Sequence, residues 1–442
     1  MSGGPRTPFI AARGLAQRLD ERPGDYDALL QFAAGKRFVL LGEATHGTHE
    51  FYRMRAQITR RLVVEHGFDT VAIEGDWPDA WRVDRFVAGQ AGGDAAAALG
   101  GFERFPTWMW RNRDVLEFVA WLRSHNAALP AERRVGFCGL DLYSLYRSAD
   151  EVVRYLERVD PEQAEIARQR YAALDHVRDP QTYGYEAALA LRPACHDAMV
   201  RQLDELRARA PAYARGDGPA AQDAQFAAER NAAAVVDAEA YYRAMFGSRI
   251  NTWNLRDAHM RDTLLALAAH RARCGGSGRV VVWAHNSHVG DARATEVGRQ
   301  GEWTLGQLLR EAAGDAALLV GFTTYTGHVC AASRWDGEAE HKRVRPALPE
   351  SWEHLFHSTR LDRFFLPLRG AAAEPLHEGM LERAIGVIYL PQSERASHYF
   401  EASIAAQFDA LFHLDETSAV EPLDLPRGWQ PHPSPETFPF GI

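Results

Sequence analysis

Short apolar runs that close on ionisable residues recur along this chain and predict its architecture. Phe38-Val39-Leu40-Leu41 shows no polar alternation, which marks a strand buried on both faces. Thr70–Ile73, Arg134–Gly139 and Arg279–Trp283 repeat the pattern, and Leu318–Phe322, His328–Ala332, Ala384–Leu390 and Ala410–His413 add further apolar runs. The stretch Tyr325-Thr326-Gly327-His328 predicts a turn between two of them. Helices are predicted over Ala11–Leu19, from His49 onward, over Trp77–Val87 with Pro78 in the first turn, over Asn112–Asn126 and over Thr304–Ala312. Strands alternating with helices in this way predict an α/β fold with a mainly parallel central sheet flanked by helices.

From Ser148 to about His270 the alternation stops. Ser148-Ala149-Asp150-Glu151 is a capping-box pattern, and alanine-rich stretches with charges at helical spacing follow, broken near Asp160-Pro161, Asp179-Pro180 and Ala210–Gly218. The chain therefore divides into a first part of the core (1–147), a helical insertion (148–270), a second part of the core (271–420) and an extended, proline-rich tail (421–442). An insertion that leaves a sheet edge and returns to it is expected to cap the carboxyl ends of the strands. Alanine-rich helices with few large apolar residues pack lightly, so this one is a candidate lid. Ala91–Gly101 reads as a loop, and Pro391–Phe400 as a polar segment.

Composition narrows the partners. Hydrophobic residues at 46% and charged residues at 25% are ordinary for a globular chain, and a net charge of -9 supplies no broad basic field for nucleic acid or an anionic membrane. The four cysteines, Cys138, Cys195, Cys274 and Cys330, form no C-x-x-C pair, so reduced thiols are expected. With no apolar stretch of membrane-spanning length and no signal-like leader, the expectation is a soluble cytoplasmic protein. Oligomeric state is left open.

The chemistry gathers where the apolar runs end, the place where ligands collect in open α/β sheets. Glu43 and His46 follow the first strand, Glu74 and Asp76 the second, Asp141 the third, and His285, Asn286 and His288 the fourth. A carboxylate and an imidazole three residues apart can meet in a turn. Trp77, Trp108 and Trp110, with Phe102, Phe105 and Trp81, are each read singly as core and together as candidate walls of a pocket for a bulky apolar ligand. Tyr241, Tyr242, Arg243, Asn254, Arg256 and Asp257, late in the insertion, are placed to reach the site from above.

No G-x-S-x-G occurs, which argues against a serine nucleophile elbow. Glu43-x-x-His46 and His285-x-x-His288 match no tight metal signature. A metal hydrolase could still take His46, His285, His288 and carboxylates as ligands. The third choice is a histidine held by a carboxylate that takes a proton from water attacking an acyl carbon, with an arginine or second histidine stabilising the oxyanion. A metal-dependent hydrolase and a non-catalytic small-molecule-binding protein are the alternatives.

LLGEATHGTHEFYRMR, AIEGDWPDAWRVDRF, FCGLDLYSLY, WNLRDAHM, VVVWAHNSHVGDAR and GVIYLPQSERASHYF together resemble the erythromycin esterase family over roughly residues 35–415. The resemblance implies hydrolysis of an ester or lactone, a macrolide among the candidates, without metal or cofactor. It implies His46 as general base, Glu43 as the group that orients it, and Glu74, His285, His288 and Arg55 as members of the same cleft.

Overall fold

The computed structural model describes residues 7–174, 179–191, 195–214, 218–247, 251–425 and 429. Eleven strands are defined among them: β1 (Gln17–Arg18), β2 (Phe38–Leu41), β3 (Thr70–Asp76), β4 (Gly136–Asp141), β5 (Val280–Trp283), β6 (Ala317–Ala331), β7 (Glu340–Val344), β8 (Arg363–Pro367), β9 (Gly379–Arg383), β10 (Tyr399–Ser403) and β11 (Ala410–Thr417). Nine of them build one sheet in the order β1-β8-β11-β6-β2-β5-β3-β4, with β7 added against β6. From β11 to β4 every pairing on that path is parallel, and β1, β7 and β8 join antiparallel at the margins. The chain is an α/β protein with a central, mainly parallel sheet flanked by helices.

Alternation along the buried strands divides the apolar residues between two cores. Val39, Leu41, Val71, Ile73, Val281, Trp283 and Val320 face one side, against Phe51, Ile58 and Leu62 of helix His49–His66 and Phe118 and Leu122 of helix Arg113–Ala127. Phe38, Leu40, Ala72, Val280, Val282 and Leu319 face the other, against Met260, Leu264 and Leu267 of helix Thr252–Arg273 and Leu305 and Leu309 of helix Leu305–Ala313. Covered on both faces, the strands need no polar positions, which is why their sequences run apolar without a break.

Helices Leu145–Val159, Pro161–Tyr171, His196–Tyr213 and Pro219–Gly247 share a third core that includes Val152, Leu156, Met199, Leu206 and Val235. Helix Thr252–Arg273 belongs to the sheet's covering layer, and its first turn reaches the carboxyl edge of the strands. Of the tail expected over 421–442, residues 426–428 and 430–442 lie outside the described residues. Among the described residues no helix is long and apolar enough to cross a membrane.

Several elements differ from the sequence expectation. The first helix spans Pro8–Leu15, capped by Thr7, and the following Gln17–Arg18 pairs with β8. Pro8 suits a first helical turn, and the apolar count alone does not see it. The expected turn at 325–328 is absent, because β6 runs straight through it. Gly327, at φ +129°, permits a close approach: a Cβ there would lie 2.0 Å from the Thr417 carbonyl oxygen of β11. Within the expected loop, Ala95–Leu99 is a short helix capped by Asp94. Ala384–Leu390 forms only isolated bridges, Ile385 to Thr45 and Ile388 to Ala332, while β9 and β10 on either side pair with each other.

Gly47 marks how tightly the loop after β2 is seated. A Cβ at this position would lie 1.9 Å from the Cys330 carbonyl oxygen, and its own carbonyl accepts from Cys330 N and Val420 N. Gly47→Ala is therefore expected to destabilise by at least the overpacking cost of about 1–3 kcal/mol, read as a lowered urea midpoint. A midpoint equal to that of the parent would refute the tight seating.

Candidate active site

The loop that leaves β2 carries the first two groups. Glu43 Oε1 lies 3.0 Å from His46 Nδ1, and Arg55 donates to Glu43 Oε2 at 2.5 Å. Arg55 projects from the second turn of helix His49–His66, fully buried, with its guanidinium 4.4 Å from the Tyr52 ring and 5.2 Å from that of Trp283. Tyr52 in turn donates to the His46 carbonyl at 3.0 Å. The imidazole is thus gripped through its backbone and through Nδ1, which leaves Nε2 for the cavity.

Strand β3 contributes Glu74 and Asp76. Its register against β4 shifts between Ile73 and Asp76, an irregularity that re-aims side chains at a strand end. Glu74 Oε2 accepts from the His285 N–H at 2.8 Å, and Oε1 accepts from Arg256 Nη2 at 2.8 Å. Oε1 also lies 3.3 Å from His288 Nε2 and 3.9 Å from His46 Nε2. Burial alone would raise the affinity of Glu74 for a proton, but His288, His46 and Arg256 hold it well below the usual carboxylate range. Asp76 accepts from Arg104 Nε at 3.1 Å and from Tyr143 N at 3.0 Å, and burial pushes its carboxyl upward.

Arg256 is the hub. Its Nε and Nη2 meet the two oxygens of Asp141, at the end of β4, at 3.0 and 2.6 Å. Its Nη1 lies 3.0 Å from His288 Nε2. His288 Nδ1 is 2.7 Å from Asp257 Oδ1, and Trp253 stacks on the His288 ring at 4.4 Å and 4°. Burial would lower the affinity of His288 for a proton, but Asp257 and Glu74 outweigh it and the opposing Arg256, pushing the imidazole up to about 9. The imidazolium stabilises the fold fully below the ordinary pKa of 6.5, and that contribution is lost as pH rises through about 9. Comparing thermal midpoints of the parent and His288→Gln across that window should show the difference shrinking at alkaline pH; a constant difference would contradict it.

His285 differs from its neighbour. Ser287 N donates to its Nδ1 at 3.2 Å, which places the ring proton on Nε2, and that nitrogen makes no hydrogen bond within the protein, although the nearby Ala44 carbonyl adds to its proton affinity. Burial, with His46 beside it at a ring separation of 4.8 Å, pushes His285 down to about 3, so it is neutral at any ordinary pH.

These groups floor a cavity of about 440 Å³ whose apolar walls include Phe102, Phe105, Trp110, Tyr143, Trp253 and Phe400. His46, Glu74, Asp76, His285, Asn286, His288 and Trp110 all line it, while Glu43 and Arg55 sit behind His46. Asn286 is turned to the sheet: its amide group pairs with both the carbonyl and the N–H of Phe322. Trp77 and Trp108, expected as substrate contacts, do not line the cavity. Trp77 packs on Trp81 and Phe226 in one core, and Trp108 on Phe105 in the other, since each lies on the helix or turn face that meets the protein interior.

Of the residues expected from late in the insertion, Arg256 and Asp257 join the site. Asn254 braces the rim through Trp303 N and the Gly301 carbonyl, Tyr241 and Tyr242 touch Tyr143, and Arg243 pairs instead with Glu239. Sequence reasoning missed Arg104 and Trp253. Trp253 lies inside WNLRDAHM, so the motif held a signal; Arg104 offers none.

The erythromycin esterase family model matches residues 63–417. The chain belongs to that family. An erythromycin esterase type II from Escherichia coli is 23% identical over 436 residues, spanning 91% of this chain and 94% of the relative. Membership in the erythromycin esterase family makes the protein an ester-hydrolysing enzyme. Solved structures share the fold, among them the following two. One, described as a succinoglycan biosynthesis protein, has a TM-score of 0.72 at 19% identity over 94% of this chain and 97% of its own. The other, a mutant of the erythromycin esterase EreC in an open conformation, has a TM-score of 0.65 at 17% identity over 90% and 95%.

Proposed function

We propose that the protein hydrolyses a small-molecule ester or lactone without metal, His46 serving as general base for an attacking water. The observation that carries this reading is the Arg55–Glu43–His46 chain, which fixes one ring nitrogen behind the cavity and leaves the other facing it. Water on the Nε2 side gives up a proton to His46 as its oxygen bonds to the acyl carbon. The neutral His285 donates its Nε2 proton as a hydrogen bond to the developing oxyanion. Collapse of the tetrahedral intermediate breaks the acyl carbon–oxygen bond, and His46 returns its proton to the departing alkoxide. The products are an acid and an alcohol, joined in one molecule when a lactone opens.

Charge balance supports metal independence. Arg256 occupies the place between Glu74, Asp141 and His288 where a bound cation would neutralise the carboxylates. Turnover is expected to survive treatment with a chelator, and its abolition with recovery on adding metal would overturn the metal-free mechanism. Substrate class is tested by incubating the enzyme with macrolides and with simple activated esters and detecting the mass gain of one water. An acidic cavity edge with aromatic walls suits an apolar acyl or lactone ring; the second half of the insertion, through Trp253 and Arg256, supplies part of that wall. No described residue of 148–247 lines the cavity, but Tyr241 and Tyr242 contact Tyr143 in its wall. On that contact we take these helices as a cover that moves with substrate entry, which hydrogen exchange with and without a bound inhibitor would read as a change in protection there. No change in protection would remove the lid.

A further inference from the structure

We propose that Asp223, His270 and Cys274 form a structural site for one divalent cation of the zinc type, remote from the catalytic cavity. Among the described residues, this is the group of histidine, cysteine and carboxylate side chains whose ligand atoms all fall within 4.8 Å of one another. The donors come from two helices. Asp223 belongs to the start of Pro219–Gly247, His270 to the last turn of Thr252–Arg273, and Cys274 caps that same turn. His270 Nε2 lies 2.8 Å from Asp223 Oδ1, and Cys274 Sγ lies 3.7 Å from the same nitrogen.

Of these distances the His–Cys one has the length tetrahedral zinc asks and the His–Asp one falls short of it. Bond lengths of about 2.0–2.1 Å to nitrogen and oxygen and about 2.3 Å to sulfur set nitrogen–sulfur and nitrogen–oxygen edges of roughly 3.5 and 3.3 Å. The His–Cys separation has about that length, and the His–Asp edge needs the half-exposed aspartate to draw back by roughly half an ångström. Phe226 stacks flat on His270 at 4.1 Å and 5°, which fixes the imidazole plane with Nε2 directed at Asp223, while Cys274 Sγ lies beside the ring, 4.0 Å from Nδ1, and turns about its χ1 bond to meet an ion on Nε2. Gln222 Oε1, 3.5 Å from Sγ, offers a fourth oxygen ligand. The carboxyl end of Thr252–Arg273 adds a favourable negative dipole, while Arg271 and Arg273 oppose the cation from the same turn.

Binding is balanced simply: the zinc–sulfur bond forms as the Cys274 thiol proton passes to solvent, and a thiolate plus a carboxylate neutralise the dication. None of the three residues lines the catalytic cavity. The ion would join helix Pro219–Gly247 to the helix that covers the sheet, a staple between the helical region and the α/β core. This revises the expectation of a metal-free chain at this one corner and leaves the metal-free chemistry at His46 untouched.

The experiment uses full-length protein, stripped with chelator and titrated with zinc and with cobalt. Expected are about one zinc per chain, a near-ultraviolet thiolate-to-cobalt absorption band, and a rise in thermal midpoint with zinc. Cys274→Ser should abolish the band and the thermal rise while esterase turnover and the far-ultraviolet circular dichroism stay at the parent level. Asp223→Asn, a milder change, serves if Cys274→Ser fails to fold, and should lower zinc affinity with the cobalt band retained but weakened. Zinc uptake that is unchanged in both variants, or a parent protein that shows no thiolate band, would overturn the site. Metal that leaves with His288→Gln but remains in Cys274→Ser would do so too, by placing the ion in the catalytic cavity.

Discussion

His46→Asn is expected to lower turnover by a factor on the order of 100 or more, the usual contribution of a positioned general base, with substrate binding preserved. Asparagine keeps much of the shape and can still hydrogen-bond Glu43, but it presents no basic nitrogen to water. Glu43→Gln should cost less, because the base remains and only its orientation weakens. The purely structural account of this pair, a polar turn that seats the loop after β2, makes the opposite forecast: a lower thermal midpoint with turnover per folded molecule unchanged. Steady-state kinetics on an authentic ester, with circular dichroism to confirm folding, separates them. A folded His46→Asn protein with full activity would end the proposed mechanism.

Arg256→Met is expected to produce the largest loss of stability, about 3–5 kcal/mol, the cost of removing one partner from a buried ionic cluster. Methionine fills much of the volume but leaves Glu74 and Asp141 facing each other without the guanidinium that both use. In the native protein both carboxyls are held below their ordinary values despite burial, by His288, His46 and Arg256 for Glu74 and first by Arg256 for Asp141. Depressed carboxylates contribute stability above their unfolded pKa and lose it as pH falls. The gap between parent and Arg256→Met should therefore be complete at pH above the ordinary values of 4.5 and 3.8 and should narrow on acidification. Urea unfolding at neutral and acidic pH measures it, and a gap that widens with acid would contradict the assignment. Activity should fall as well, since Arg256 also positions Glu74 at the cavity floor.

Both variants act on residues whose visibility in the sequence was unequal. Glu43 and His46 stand three apart straight after an apolar strand, so their pairing is local and the pattern announces it. Glu74, Asp141, His285 and His288 were visible for the same reason: parallel strands send their carboxyl ends to one edge, and ionisable residues that close apolar runs must collect there. Arg55 followed from the family resemblance alone, since nothing in the spacing of a helix says which arginine turns inward.

Tertiary structure decided the rest. Arg256 lies 115 residues from Asp141 and 182 from Glu74, separations that no local pattern encodes. Trp77 and Trp108 look like pocket walls in an aromatic-rich sequence, yet large aromatics fill cores and cavities alike, and only packing assigns them to the former. The straight course of β6 through Gly327 has the same origin: a glycine that reads as a turn is there because the Thr417 backbone leaves no room for a side chain. Asp223 meets His270 across 47 residues, while Cys274 lies one helical turn beyond it, so the sequence carried half of that cluster and the packing of two helices supplied the other half. Periodicity and strand-end position thus encode the α/β class and the acid–histidine edge, though not every element boundary. What the fold alone determined was which distant charges neutralise one another, because burial forces them to meet only after the chain has closed.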